Sequence, residues 1–493
     1  METNYGELQL GIAERYFDEI LVETAVDASE RGGTEKVLSL EAEAKTTGVE
    51  LLEGEAEVTG KVNYRLLYLD REKRLCGLDY FKDFKCRVKG EEIKPSGKCS
   101  VSFSLPDAEA QLRGEEIVLS AMTGVEVRYF GEKSERALLS VTEGECKEVV
   151  FCTEKVKCAE RTVEVTKTVD SGTAVKKIVL FGADVVPTGQ TEREEGKEVN
   201  AEVRVSVLYL NEADEAVELS ATIPLSEGFD TGAAEYRFFV KNARIVLTED
   251  EGGGAIEAEI AVTIEELSYE TRECKAVSVV VLEKSEAVEK SATARVGRYL
   301  GQVFREESLT GSVPLAIENG YVAFLRPGCH AIAETQVLDG AVKVEGVAAF
   351  QAVCLVDGGY EVQQGELPFS FSLPCDAAKA GAIAEVEAVI TEVKGIASGK
   401  ELSVTAKTSL SVSLFESETV TYLSEVTEGG IYPESEAGIS VYFAEKGEDA
   451  WSVAKAMKTL PSVLLQGNPF LSEPLVENKK VLIIRKKGEN TVK

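Results

Sequence analysis

The sequence predicts a mainly β chain, in which three repeated antiparallel domains, each sandwich- or barrel-like, precede a small α+β domain of βααβ order. Three observations predict it. Through most of the 493 residues apolar side chains recur at every second position, the period of a half-buried strand. One group of such strands occurs three times in the same order. Near the C-terminus the period changes: in "EDAWSVAKAM" Trp451, Val453, Ala454, Ala456 and Met457 fall at three- and four-residue spacing, as on a helix face.

The recurring group begins with "GKVNYRLLYLD" at 60–70, "AEVRVSVLYLN" at 201–211 and "VEGVAAFQAVCLVD" at 344–357, each an alternating strand ending at a turn. Val62, Tyr64, Leu66 and Tyr68 share one face of the first, and Val203, Val205, Val207 and Tyr209 one face of the second. A short strand follows each ("DYFKDFKC", "VELSATIPL", "GELPFSFSLP"). Then come a longer one ("CSVSFSLPDAEAQL", "AEYRFFVKNARIVL", "AEVEAVITEVKGI") and a closing one ("EEIVLSAMTGVEVRY", "AIEAEIAVTIEEL", "KELSVTAKTSLSVSL"). Tyr68, Tyr209 and Cys354 are spaced far wider than any solenoid repeat, so the copies are whole domains. A chain of this length also exceeds one core and divides into roughly three or four domains.

The boundaries read from this pattern are 1–135 for the first unit, 136–272 for bridging strands and the second, and 273–420 for bridging strands and the third. The bridging segments "KVKCAERTVEVTKTV" and "ECKAVSVVVLEKSEAVEKSATARV" alternate as strands do; they add strands to a unit or join neighbours. "YFDEILVETAVD" plays the same part for the first unit. The turn formers and acids of 421–436 read as a linker to the last domain, 437–486.

Composition narrows function. Against 54 basic residues stand 86 acidic ones, a net charge of −32, which repels nucleic acid and anionic lipid. Neither nucleic-acid binding nor membrane insertion is expected, since no stretch approaches the roughly 20 apolar residues that span a bilayer. The N-terminus lacks a basic leader followed by an apolar block, which points to the cytosol. Ten cysteines, at 76, 86, 99, 146, 152, 158, 274, 329, 354 and 375, lie far apart without a C-x-x-C pair, and free thiols are expected. The lone histidine, His330, adjoins Cys329, but neighbouring strand residues point to opposite faces. With no phosphate loop and no nucleophile elbow, no metal and no cofactor are expected. "EDEGGGA" at 249–255 reads as a hairpin loop. The body is expected to be a scaffold and not an enzyme.

In the last domain, "ISVYFAEKG" reads as a strand and "EDAWSVAKAM" as a helix with two acids in its first turn, facing the positive end of the dipole. Pro461 begins a second helix, "PSVLLQ"; Gly467 ends it in a left-handed conformation and Pro469 blocks its continuation. "KKVLIIRKK" closes the domain. Trp451, Ala454, Val441 and Phe443 are expected to pack together, with Trp451 either part of that core or an exposed anchor.

This order, carried by "VYFAEKGEDAWSVAKAM", "NP" and "VLII", resembles the LysM domain. The resemblance implies a groove formed by the turn Gly447, Glu448, Asp449 and Ala450 together with the loop at Asn468 and Pro469. Where sugar-binding LysM domains carry Thr and Leu in that turn, this chain has an acid and a small residue, which speaks against glycan binding. With Trp451 on the helix and Ile439 at the entry of the first strand, these residues are the expected partner-binding set. Lys479, Lys480, Arg485, Lys486 and Lys487 form the one cationic patch, suited to steering an acidic partner.

The upstream units resemble the repeated domain DUF3794, through the "YLD" and "YLN" strand ends and the recurring strand order. Three such repeats followed by LysM resemble spore-coat morphogenetic proteins of sporulating clostridia. That resemblance implies a non-enzymatic adaptor in the mother-cell cytoplasm at the forespore surface. It would dock the coat's basement-layer ATPase, SpoIVA, through the LysM-like domain and meet other coat proteins; strand edges allow self-association. The alternative is a peptidoglycan-binding protein with the β units as a stalk.

Overall fold

Long antiparallel strands dominate the computed structural model, which describes residues 1–27, 33–194, 196–230, 232–250, 253–316, 321–356, 359–433 and 438–485. The first strand set holds β1 (Thr3–Asp27), β2 (Lys36–Leu52), β3 (Glu55–Leu69), β4 (Leu75–Lys89), β5 (Lys98–Arg113) and β6 (Glu116–Val141). They pair as two sheets, β1-β6-β5 and β2-β3-β4. The second set holds β7 (Gly144–Asp170), β8 (Val175–Glu192), β9 (Lys197–Asn211), β10 (Ala216–Phe229), β11 (Ala234–Asp250) and β12 (Gly253–Leu282); the third holds β13 (Ser285–Pro314), β14 (Tyr321–Leu338), β15 (Ala341–Val356), β16 (Gly359–Pro374), β17 (Ile383–Ser398) and β18 (Glu401–Ile431). Their sheets follow the same order: β7-β12-β11 with β8-β9-β10, and β13-β18-β17 with β14-β15-β16. The first bridging segment lies in β7, the second spans the end of β12 and the start of β13, and "YFDEILVETAVD" lies in β1.

The strand ends correct the sequence boundaries. Residues 136–141 and 273–282, assigned above to the following unit, are the last residues of β6 and β12, and 421–431, assigned to a linker, continues β18. Pairing explains the difference: β18 stays paired with β13, through two register shifts, up to Ile431 opposite Ser285, so turn-forming composition there does not end the ladder. Part of the expected linker and of the "EDEGGGA" loop lies outside the described residues.

Within each set the predicted faces turn inward. Val62, Tyr64, Leu66 and Tyr68 are buried in the first set with Ile117 and Leu119 of β6, and the Tyr64 hydroxyl donates to the Val22 carbonyl at 2.7 Å. Val203, Val205 and Val207 do the same in the second set against Ile260 and Val262. Period two predicts strands buried on one face. At their C-terminal ends, however, β3, β9 and β15 are buried on both, because Leu67, Leu69, Leu208, Leu210 and Val353 meet in a further apolar cluster shared by the three sets. At the other end, the six longest strands, β1, β6, β7, β12, β13 and β18, supply another common cluster that includes Leu10, Ala137, Phe151, Ala276, Val296 and Tyr422.

Two glycines let backbones of the first and second sets touch. A Cβ on Gly11 would collide with the Glu154 carbonyl, and one on Gly77 with that of Val179. A buried ion network also joins the sets. Arg128 donates to both carboxylate oxygens of Glu235, at 2.9 and 2.7 Å, and to the Tyr269 hydroxyl at 2.8 Å. Its Nη1 also lies 3.2 Å from Glu385, so one guanidinium joins all three sets. Beside it Arg237 donates to Ser100 at 2.8 Å and pairs with Glu387. Burial pushes the Tyr269 hydroxyl and the Glu385 carboxyl above their ordinary values. Replacing Arg128 with Ala strands Glu235 without a counterion; the expected loss is about 3 kcal/mol or more, read from urea unfolding.

Glu154 of β7 accepts a hydrogen bond from the Tyr299 N–H of β13 at 2.8 Å. Burial pushes its carboxyl from the usual 4.5 up to about 7, against the pull of that N–H and of Arg298. Between those values the folded chain holds the proton that the unfolded chain has released, so this group makes stability fall as pH rises through the interval. In the Glu154→Gln variant that dependence disappears. Its gain in unfolding free energy over the parent is therefore expected to be larger at pH 8 than at pH 5.

Candidate functional site

The C-terminal residues form β19 (Gly438–Ala444), α1 (Ala450–Met457), α2 (Pro461–Gly467) and β20 (Lys479–Arg485). The strands pair antiparallel, with Ile439 opposite Ile484 and Val441 opposite Leu482. Both helices contribute to the buried cluster, in which Ala444, Val481 and Ile483 of the sheet meet Ala450, Val453, Ala454 and Leu464. Val281, at the end of β12, joins the same cluster, so the unit is seated on the strand sets.

The inward face of β19 is the reverse of the expected one. Val441 and Phe443 are exposed, whereas Ala444 is buried and Tyr442 packs at the edge of the cluster. Beneath α1 the inner face is filled by Val481 and Ile483 of β20 together with Ala444, packed against Ala450, Val453 and Ala454. Tyr442 is held instead through its hydroxyl, which donates to Glu448 at 2.8 Å.

The turn residues serve the local fold. Gly447 adopts φ +94, a left-handed backbone suited to glycine, and its N–H donates to the Leu475 carbonyl at 2.7 Å. Glu448 accepts from the Tyr442 hydroxyl and from the Glu445 N–H. Asp449 precedes α1 as its N-cap, accepting from the N–H groups of Trp451 and Ser452 at 3.1 and 3.0 Å. The first turn therefore contains no acid, in contrast to the two expected there, because both acids lie before the helix. Ala450 is buried and Trp451 half-buried at the margin of the cluster.

Asn468 is also structural. Its amide donates to the carbonyls of Leu464 and Leu482 and accepts from the Leu482 N–H, clamping the end of α2 to β20. This clamp replaces the expected left-handed Gly467, which belongs to the helix; it is Lys458, after α1, that takes the left-handed conformation. Pro469 is exposed and opens a short 3-10 turn over Pro469–Ser472. Ile439 sits apart from the turn, exposed on the sheet face away from the helices.

Three polar contacts tie the helices to the strand sets. Lys147 of β7 reaches Asp449 at 2.7 Å, Lys455 of α1 reaches Glu289 of β13 at 2.6 Å, and Glu145 accepts from the Ser462 N–H at 2.9 Å. Burial opposes ionisation of Asp449, but Lys147 and the Ser452 N–H outweigh it and hold the carboxyl below its ordinary value. Sequence reasoning missed Lys147, Glu145 and Glu289 because nothing local marks a residue whose partner is 166 or more positions away. Of the cationic patch, Lys480 stands over the Phe443 ring at 5.6 Å and Lys479 over Phe470 at 5.5 Å; the side chain of Arg485 and all of Lys486 and Lys487 lie outside the described residues.

The strand sets also form an open cleft of about 690 Å³, lined in part by Glu41, Arg65, Asp184, Arg204, Arg326 and Lys407. Ion pairs cross it, such as Arg326 to Glu41 at 2.9 Å. Among the described residues no group of three His, Cys, Asp or Glu is placed to hold a metal. Burial pushes the Cys99 thiol up to about 11 and that of Cys158 up to about 12, which leaves little thiolate at neutral pH. The side chains of Cys329 and His330 lie outside the described residues.

Salt weakens partly exposed ion pairs, so the seating of the C-terminal unit is expected to be salt-sensitive. In the Lys147→Glu, Glu289→Lys double variant, amide exchange in α1 and α2 should rise severalfold. In the parent, 0.5 M salt (about a 4 Å screening length) should produce a smaller rise in the same segments.

Comparison with protein families gives one match: the model described as SipL, SPOCS domain, over residues 34–113. That interval runs from the start of β2 to the end of β5, taking in one whole sheet and an edge strand of the other. Through this segment, a minor part of its length, the chain is similar to SipL proteins. No curated protein and no solved structure matches the chain. Among the described residues no helix is long and apolar enough to cross a membrane.

Proposed function

From a chain that carries a SipL SPOCS domain, we propose a non-enzymatic adaptor of bacterial endospore coat assembly. Three SPOCS-type repeats, of the kind also described as DUF3794, form its body, and the LysM-like C-terminal unit docks the coat's basement-layer ATPase, SpoIVA. The adaptor works in the mother cell, at the forespore surface.

The observation that carries this reading is the use made of the turn before α1. In a sugar-binding unit that turn is a groove wall, free to meet a ligand. Here Asp449 is engaged by its own helix and by Lys147, and Glu448 by Tyr442 and Glu445. Both are acids whose acceptor oxygens are already occupied, which favours a protein-docking unit over a glycan-binding one.

The test is binding of the full-length chain, intact and as Trp451→Ala, to the purified ATPase and to peptidoglycan fragments, with circular dichroism and thermal unfolding as controls. The parent is expected to bind the ATPase and to ignore peptidoglycan. Truncating a half-buried tryptophan at the margin of the unit should weaken ATPase binding by about tenfold or more. Retention on peptidoglycan without ATPase binding would replace the adaptor with a wall-binding protein.

A further inference from the structure

We propose that the C-terminal unit docks its partner on the outward face of the β19–β20 sheet, and that the partner offers an apolar strip flanked by carboxylates. This rests on the adaptor reading and adds the face and the chemistry. Alternation along an exposed two-stranded sheet ordinarily puts polar residues outside. Here the outward positions are Ile439, Val441, Phe443 and Leu482, which are 70%, 48%, 67% and 53% exposed in the full chain. The opposite face is covered by α1 and α2, the elements tied to Lys147, Glu289 and Glu145. The apolar face is thus the one the strand sets leave open.

Charge identifies the occupant. The chain carries 86 acidic residues against 54 basic ones, yet neither β19 nor β20 contains a carboxylate, and β20 begins with Lys479 and Lys480. The Lys480 ammonium stands 5.6 Å from the centre of the Phe443 ring, a cation at the rim of the apolar patch. A partner with an apolar strip and acidic flanks satisfies both parts of this surface. A second copy docking through the same face would present the same lysines and, since neither strand carries a carboxylate, nothing on the two strands to pair with them.

The experiment uses the full-length chain and the purified coat ATPase. Binding is compared for the parent, for Val441→Thr with Phe443→Ser, and for Lys480→Glu. Carbene footprinting of Val441, Phe443 and Leu482 in the parent complex provides a readout that needs no variant to fold. The expected results are about tenfold weaker binding for the double variant, slower association with a flatter salt dependence for Lys480→Glu, and loss of labelling at the three positions on complex formation. If the parent binds while the variants bind equally well and labelling is unchanged, the face is wrong and the adaptor reading stands. If the parent does not bind the ATPase, both fall. Loss of labelling that follows the chain's own concentration, with a doubled mass, would overturn the proposal in favour of self-association.

Discussion

A single guanidinium touches all three strand sets. Arg128 faces Glu235 and Tyr269 of the second set and Glu385 of the third, in a region from which water is largely excluded. Such a group is a poor source of net stability, since its desolvation cancels much of the Coulomb gain. Its geometry is demanding, however, because residues from three strand sets must align before the charges are compensated. The apolar clusters on either side are less selective: contacts such as Leu67 against Leu208 and Val353 tolerate small rotations that an ion pair does not. The network therefore sets the mutual angle of the sets, and the long strands transmit that angle to the far end.

What stands at the far end is a small unit whose seating is mostly polar. Apart from Val281, the seating contacts described involve charged or hydroxyl side chains. Helices that might have met a ligand are turned toward the strand sets, and the sheet faces outward. Orientation of the unit is thus a property of the whole chain. Placing the SPOCS segment within β2 to β5 adds that the recognisable part of the sequence lies well away from this end in the chain.

The strands were legible because alternation is a local property: Val62 to Tyr68 and Val203 to Tyr209 point inward as their spacing requires. The longest strands were cut short by composition, since glycine and acids near 421–431 resemble a linker although pairing with β13 continues through them. In β19 both faces hold apolar side chains, so periodicity alone could not choose between them. The face that turns inward places Ala444 in the cluster with Ala450 and Ala454, and lets the Tyr442 hydroxyl reach Glu448. Of the residues expected to bind a partner, Gly447, Glu448, Asp449, Ala450 and Asn468 have local structural duties, while Ile439 lies on the open face. The ion network was invisible, because Arg128, Glu235 and Glu385 are ordinary charged residues in a strongly charged sequence.

Helix α2 has no side chain of its own at its N-terminus to accept a hydrogen bond. Glu145, borrowed from the start of β7, does that work through the Ser462 N–H. An excised C-terminal segment is therefore not a smaller version of the same unit. Cut from the strand sets, it keeps the cap of α1 but opens the first turn of α2, and Val281 leaves a gap in its core. Affinities measured on such a fragment would include the work of re-forming that turn, and would understate what the intact chain achieves.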